Sequence, residues 1–475
     1  MLNYQEFLNK PKSLLIAPAG YGKTHTIAEC LGVLKSTGKQ LVLTHTHAGV
    51  ASIKEKAKKM GVPNSAYQVE TISSFVQKYV LSFYVGGDIP EQSNNKAYYP
   101  FILEKGISLF KIVPIRKVLS LTFEGLFVDE YQDCTRKQHE LIQVLAELFP
   151  TRILGDPLQG IFGFNGDSLV DMNSELLGGF YDSKYELRFP QRWLNGNNSH
   201  LGNDLKAIRS KLLSGVPVDL TEHRSIEVVV VSERDIYNPK GPYNSSIRKL
   251  LRETDVLLIH PDSSSIHPRM KIIKLFNNAF TLIEAIDDKD FYKLATMADS
   301  LTSKNIRSSI YSLGIEVFNK TGLDYWFNAR GFKKKSKSEE QAAVQPIESM
   351  IERIEANFSF SLVADVLKAV SELNEIKCYR KELFKSLCNA LYEASSNNIS
   401  VSTTMEKARN LTRRIGRKVH GRCIGTTLLT KGLEFDSVAI INAHKFECPK
   451  HLYVALTRAC KRLIIFTENA ILNPY

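Results

Sequence analysis

Gly125-Leu126-Phe127-Val128 is apolar throughout and runs straight into Asp129-Glu130-Tyr131-Gln132-Asp133. A short apolar run of this kind reads as a buried strand. Two adjacent carboxylates then close its C-terminal end, and in an open α/β sheet that end is where ligands bind. Asp129 is placed to hold Mg²⁺, and Glu130, facing the other way, to orient or deprotonate a water. On its own, an Asp-Glu pair after a strand reads first as a solvated acidic turn. The chain upstream decides between the two readings.

There, Ala17-Pro18-Ala19-Gly20-Tyr21-Gly22-Lys23-Thr24 follows the apolar Leu14-Leu15-Ile16 and opens a helical pattern at Thr24. Strand, glycine loop and helix form the setting in which a phosphate-binding loop is credible. Gly20 and Gly22 let backbone N–H groups approach phosphates closely. Lys23 brings a positive charge to the β- and γ-phosphates, and the Thr24 hydroxyl can ligate Mg²⁺. Ala17 stands where the general pattern has its first glycine. The expected ligand is ATP or GTP.

Composition sets wider bounds. A chain of 475 residues is long enough for two to four domains. Its hydrophobic fraction of 43% and charged fraction of 24% are those of a globular protein. A net charge of +12 suits a polyanionic partner, although a merely basic surface fits equally. The seven cysteines contain no Cys-x-x-Cys pair and the eleven histidines show no zinc spacing with them. Reduced thiols in a cytoplasmic protein are expected. No stretch reads as a signal peptide or a membrane span, so no membrane partner is expected.

Along the chain, Gln5 precedes the first strand and can offer its amide to an adenine edge or simply start a helix. Leu41-Val42-Leu43 reads as a strand ending in Thr44-His45-Thr46-His47, ahead of a helix from Val50 to Lys59. Thr71-Ile72-Ser73-Ser74-Phe75 opens another helix. These threonines and serines can bind nucleic-acid phosphates or cap helices. Tyr84 to Tyr99 reads as a loop or small inserted lobe, and Lys137 to Leu148 as an amphipathic helix. Thr151-Arg152-Ile153-Leu154 is a strand delivering Gly155-Asp156-Pro157-Leu158-Gln159, where Gln159 can sense a γ-phosphate. Phe162 and Phe164 are stacking surfaces or core.

Strands return near Ile226 and at Val256-Leu257-Leu258-Ile259, then again at Ser437–Ile441 and Leu463–Phe466. Between them, Arg269 to about Lys418 reads as mostly helical. Its basic run, Lys333-Lys334-Lys335-Ser336-Lys337, reads as a mobile solvated loop. Arg409, Arg413, Arg414, Arg417 and Lys418 make a denser basic stretch.

Two C-terminal motifs complete the pattern. Thr430-Lys431-Gly432-Leu433-Glu434-Phe435-Asp436 precedes one strand, and Leu452-Tyr453-Val454-Ala455-Leu456-Thr457-Arg458-Ala459 precedes another. With the earlier motifs, from Gln5 to Leu463, the sequence resembles the superfamily 1 helicases of the UvrD/Rep/PcrA type. The resemblance implies an α/β fold of two RecA-like parallel-sheet domains, with a reduced insertion in the first and a helical insertion in the second. The implied boundaries are 1–200 for the first domain, with its insertion at about 76–123. The second domain is 201–268 with 419–475, and the helical insertion is 269–418.

The same resemblance implies an ATP hydrolase that moves 3′ to 5′ along single-stranded DNA, using ATP and Mg²⁺. Gln5 would read adenine. Gly20, Gly22, Lys23 and Thr24 would hold the phosphates, and Thr24 and Asp129 the metal. Glu130 would be the catalytic carboxylate, Gln159 the γ-phosphate contact, Arg192 and Arg458 arginine fingers, and Glu434 the ribose contact. Thr44, Thr46, Thr71 and Phe164 would line the DNA track. Departures fall mainly on that track. His45 replaces a phenylalanine, Phe164-Asn165 a Trp-Arg pair, and Ser73 and Leu428 histidines. Gln191 stands where the family has an adenine-stacking tyrosine.

Short helicases of this type resemble the helicase of Gabija-type anti-phage systems, which works beside an OLD-family ATPase–nuclease. The substrate would be single-stranded DNA or a tailed duplex. A repair helicase is the alternative pathway, and a nucleotide-gated DNA sensor the alternative function. A fused nuclease is not expected, because the chain ends soon after Arg458.

Overall fold

A computed structural model describes all residues except 1, 36–37, 93, 162–167, 173–176, 284–287, 329–330, 416–418 and 420. Strands are numbered in chain order. The first sheet contains β1 (Lys12–Ile16), β2 (Gln40–Thr44), β3 (Tyr67–Thr71), β4 (Gly125–Val128), β5 (Thr151–Gly155) and β6 (Lys184–Glu186). Its order is β3-β2-β4-β5-β1-β6, and every pairing is parallel. β2, β4 and β5 are buried at every residue. Helices cover both faces, which is why Leu41–Leu43 of β2 and Gly125–Val128 of β4 read as unbroken apolar runs and not as alternating ones. One face packs Leu41, Leu43, Phe75, Phe110, Leu126 and Leu141, the other Phe7, Ile27, Leu31, Val42, Ile53 and Phe127.

A short antiparallel ladder joins β7 (Val218–Asp219) to β16 (Ile471–Leu472). The second sheet contains β8 (Glu227–Val230), β9 (Val256–Ile259), β10 (Thr281–Leu282), β13 (Arg422–Gly425), β14 (Phe435–Ile440) and β15 (Ala459–Thr467). It too is parallel throughout, in the order β10-β13-β9-β14-β15-β8. This is an α/β protein with two six-stranded parallel sheets, the arrangement of tandem RecA-like domains.

Residues Met1–Ile283 and Gly416–Tyr475 make one compact unit, and Glu284–Ile415 a second. The helical segment therefore starts later than the expected residue 269. Helix His267–Leu275 and β10 belong with the second sheet, because Thr281 and Leu282 pair with Cys423 and Ile424. A two-residue strand has no apolar run long enough to be seen in a sequence.

The interval 76–123 carries helices on either side of a non-helical stretch at 84–92. Helix Ile72–Phe83 leads to helices Asn95–Leu109 and Val113–Thr122, whose Tyr98, Ile102, Ile115 and Leu119 join the core of the first sheet. Asn94 caps the first of these by accepting from Ala97 N at 3.4 Å, so a helix starts inside the stretch expected to be a loop or small inserted lobe.

Inside the helical unit, Val363, Val366 and Leu367 are fully buried and Leu362 packs against their core, together with Trp326 and Phe318. A hairpin pairs β11 (Phe327–Asn328) with β12 (Gly331–Phe332). The basic run that follows is not simply solvated. Lys333 donates to Asp324 O and Lys335 to Tyr325 O at 2.8 Å, both at the end of helix Lys320–Trp326. The Lys335 ammonium also lies 3.4 Å from the Tyr325 ring centroid and 4.5 Å from that of Trp326. Orphan carbonyls at a helix end and aromatic faces both attract a cation.

Candidate active site

The phosphate loop links β1 to helix Lys23–Val33. Gly20 has φ +74° and Gly22 φ +96°, values at which a side chain is strained. Gly20 is required for a second reason, since a Cβ there would lie 2.7 Å from the Trp193 ring. The loop opens onto the first turn of the helix, whose free N–H groups and dipole favour an anion. Thr24 is half-buried in that turn.

Lys23 reaches the end of β4, with Nζ 3.1 Å from Asp129 Oδ1 and 2.5 Å from Glu130 Oε1. Burial opposes its charge, but the two carboxylates outweigh that and raise its pKa. Glu130 has φ +55°, a left-handed backbone that costs a non-glycine residue about 1–2 kcal/mol. Gln132 Nε2 donates to Glu130 Oε2. Burial pushes the Glu130 carboxyl upward, yet Lys23 and Lys431 together hold it down at about 2. Burial prevails at Asp129 and raises its pKa. The two neighbours are thus driven apart, with Glu130 firmly ionised. Asp129 Oδ1 is buried and has no hydrogen bond among the described residues, only the ion contact with Lys23.

At the end of β5, Asp156 is fully buried. It accepts from Ala19 N at 3.2 Å and from Gln159 Nε2 at 3.0 Å. The Asp156 N–H donates to Gln132 Oε1 at 3.0 Å, so Gln132 links the ends of β4 and β5.

The second sheet contributes from the opposite side, and a helix that follows β6 of the first sheet reaches across to it. Arg192, in helix Gln191–Asn195, donates its backbone N–H to Gly20 O at 2.8 Å. Its guanidinium reaches Thr457 O at 2.6 Å and Glu434 Oε1 at 2.5 Å. Arg458 is buried and donates to Val454 O at 2.9 Å, Leu433 O at 3.0 Å and Thr457 Oγ1 at 3.0 Å. Burial and then the Arg192 charge push it down to about 10. Lys431, just before Glu434, donates to Asp133 Oδ1 at 2.7 Å and to Gln159 O at 2.5 Å. Burial raises Asp133 to about 6 despite that ammonium.

Gln5 lies exposed on helix Tyr4–Asn9. Gln191 lies against the phosphate loop, its Cγ 3.8 Å from where a Gly22 Cβ would be. Thr44 and Thr71 are register partners at the ends of β2 and β3. Thr46 caps helix His47–Lys59 and Thr71 caps helix Ile72–Phe83, each accepting a backbone N–H at 3.0 Å. The Thr44 hydroxyl is buried with no hydrogen-bond partner among the described residues. His45 is pushed down to about 4 by burial, and its Nε2 lies 3.4 Å from Cys134 Sγ. Phe164 lies outside the described residues.

Two family models match the chain. An AAA domain model covers residues 3–165, and a viral superfamily 1 RNA helicase core domain model covers residues 331–467. The chain is a superfamily 1 helicase.

Among curated proteins, the helicase is similar to the Gabija protein GajB of Bacillus cereus, with 21% identity over 405 residues, 81% of this chain and 71% of that one. It also matches the exonuclease/helicase subunit RexA of Lactococcus lactis, with 28% identity over 102 residues, 21% of this chain and 8% of that one. The crystal structure of the Pif1 helicase from Candida albicans aligns over 99% of this chain and 95% of that one, at 12% identity and a TM-score of 0.42.

Sequence motifs did not single out Gln132, Asp133, Asp156, Trp193 or Arg209 as parts of the helicase's site. Lys431 stood inside a motif without a role. Their contacts join residues far apart in the chain, and only a fold brings them together. Asp133 and Asp156 each sat within a motif that contains a better-known residue, the one signal that pointed to them.

Proposed function

We propose that this helicase is an ATP-driven translocase of the UvrD type that moves 3′ to 5′ along single-stranded DNA. The observation that carries the reading is the convergence on one loop of groups from both sheets. Lys23, Asp129, Glu130 and Arg192 come from the first half, Arg458 and Glu434 come from the second, and Arg192 bridges the two through Gly20 O and Glu434.

In this reading the phosphates rest on Gly20, Gly22, Lys23 and Thr24. Mg²⁺ would be held by Thr24 and Asp129, and the buried Oδ1 of Asp129, with only the Lys23 ammonium beside it, fits that use. The metal supplies charge neutralisation on the phosphates. Glu130, kept ionised, orients the attacking water, and Gln159 meets the γ-phosphate. Arg192 and Arg458 stabilise the transferred group as the two sheets close. Glu434 and Gln5 address ribose and base. DNA contacts are assigned to Phe164 and to Thr44, Thr46 and Thr71, the last three at the C-terminal ends of β2 and β3, where two helices begin at capped N-termini. Residues 1–200 form the first motor domain, 201–283 with 416–475 the second, and 284–415 the insertion.

The likeness to GajB over most of the chain supports a role in the bacterial cytoplasm beside an OLD-family ATPase–nuclease in anti-phage defence. The short interval between β3 and β4 supports a further expectation, that the lone chain separates long duplexes poorly. The deciding measurement is ATP turnover with and without single-stranded DNA, followed by strand separation on 3′-tailed and 5′-tailed duplexes. DNA-stimulated turnover with unwinding only from the 3′ tail is expected. Turnover indifferent to DNA would favour a nucleotide-gated sensor, and 5′ preference would remove the UvrD assignment.

A further inference from the structure

Asp156 collects more bonds than a γ-phosphate contact needs. Besides Ala19 N and Gln159 Nε2, its carboxylate takes Leu158 N at 3.3 Å and Arg209 Nη2 at 3.0 Å. Through its own N–H it reaches Gln132, and through Gln132 it reaches Glu130. One carboxylate therefore joins the phosphate loop, Gln159 and the acidic end of β4.

Arg209 is the group that connects this cluster to the second half. It lies on helix Ser199–Leu213, whose Leu201, Leu205, Ile208 and Leu212 pack into the core shared with β14 and β15. Both members of the Arg209–Asp156 pair are buried. The guanidinium lies 5.6 Å from the Tyr453 ring centroid. Tyr453 belongs to helix Pro449–Leu456. The next carbonyl of that helix, Val454 O, holds Arg458 Nε at 2.9 Å. Arg209 Nη1 has no hydrogen-bond partner among the described residues, so Asp156 and Tyr453 set the guanidinium's position. A buried ion pair is costly to desolvate and often no better for stability than apolar packing. Its value here lies in fixing geometry across the junction of the two sheets.

We propose that Arg209 is a positioning residue for ATP hydrolysis. Through Asp156 it holds Gln159 and the Ala19 amide in register with helix Pro449–Leu456, so that the γ-phosphate contacts and Arg458 move as one. This rests on Gln159 meeting the γ-phosphate, as proposed above.

The test is steady-state ATP turnover by the full chain with saturating oligo-dT, beside equilibrium ATP binding in a Glu130→Gln background. Arg209→Met is expected to lower kcat about 10²-fold, the scale of a small misplacement of reacting groups, with KM for ATP and ATP binding near wild type. Arg209→Lys keeps a charge at Asp156 and is expected to regain most of the rate. Gln159→Ala is expected to be slow, and Arg209→Met/Gln159→Ala no slower, because both losses follow one path. Arg209→Met strands a buried carboxylate, so Arg209→Met/Asp156→Leu, which replaces the pair by apolar groups, is measured as a second variant. It is expected to fold, by circular dichroism, and still turn over slowly. Wild-type kcat per ATP-binding site in either folded variant overturns the proposal, as do losses that multiply in the Gln159 double variant. In those outcomes a slow Gln159→Ala leaves the γ-phosphate reading intact. A Gln159→Ala variant with unchanged kcat removes that reading and the proposal with it.

Discussion

The two six-stranded sheets are built alike but present their candidate groups from opposite ends. In the first, each group follows a strand. The phosphate loop follows β1, Thr44 and Thr71 close β2 and β3, Asp129 and Glu130 follow β4, and Asp156 follows β5. In the second, Glu434 immediately precedes β14 and Arg458 immediately precedes β15. The difference has a physical consequence. The C-terminal ends of parallel strands lead into helix N-termini, where free N–H groups favour anions. The N-terminal ends follow helix C-termini, where free carbonyls favour cations. Accordingly, the first half offers a phosphate cradle, while in the second half Val454 O, Thr457 O and Leu433 O hold the two guanidiniums.

If the halves divide the work this way, the largest effect should come from the cations that the second half's carbonyls hold. Arg458→Ala and Arg192→Ala should each lower kcat by ~10³-fold or more while leaving ATP affinity nearly intact. A rise in KM alone would place that arginine in ground-state binding and dissolve the contrast.

The next largest effect belongs to the first half. Glu130→Gln should lower turnover at least ~10²-fold and keep nucleotide binding. Lys23→Ala should lose both, because the phosphates lose their cation. Near-normal turnover in Glu130→Gln would take the catalytic step away from β4.

The Lys431–Asp133 pair joins the halves, and pH sharpens its role. The Asp133 pKa is raised from 3.8 to about 6, with burial as the main cause. Folded protein therefore holds the proton in a window where the unfolded chain has lost it. This contribution to stability is fully present below pH 3.8 and is lost as pH rises to about 6. A shift of this size corresponds to about 3 kcal/mol. Tm measured across that window should fall less steeply with rising pH in Asp133→Asn than in wild type. Identical slopes would mean that Asp133 ionises as freely folded as unfolded.

The smallest expected effect separates two uses of one side chain. Thr71→Ala removes a cap and should cost about 1 kcal/mol of stability. If Thr71 also meets a DNA phosphate, the log–log salt dependence of single-strand binding should become shallower by about 0.7. An unchanged slope would leave Thr71 as a cap only.

The contrast between the halves also marks where sequence reading succeeded. β4 and the phosphate loop were legible because each is a local signal. An apolar run needs only its own residues to be recognised, and so does a Gly-x-Gly-Lys-Thr turn into a helix. β10 was not legible, since Thr281 and Leu282 become a strand only by pairing with Cys423 and Ile424. The start of helix Asn95–Leu109 was hidden for a related reason: Asn94 sits in a polar stretch that suits a loop as well as a cap. Lys333 and Lys335 looked solvated because charge runs usually are, yet helix-end carbonyls accept from both and two aromatic rings flank Lys335.

From residues alone, this chain declared apolar strand runs, a phosphate loop and an acidic strand end, and the family resemblance of its motifs added the two parallel-sheet domains and the arginines. Each of these rests on neighbours in sequence, whose chemistry is set by covalent connection. Folding alone placed Lys431 on Asp133, 298 residues away, and Arg209 on Asp156. It also laid Trp193 over Gly20 and gave Glu130 its left-handed turn. Such contacts depend on how two sheets and their helices pack, and a side chain's burial and partners are properties of that packing, not of its own stretch of chain.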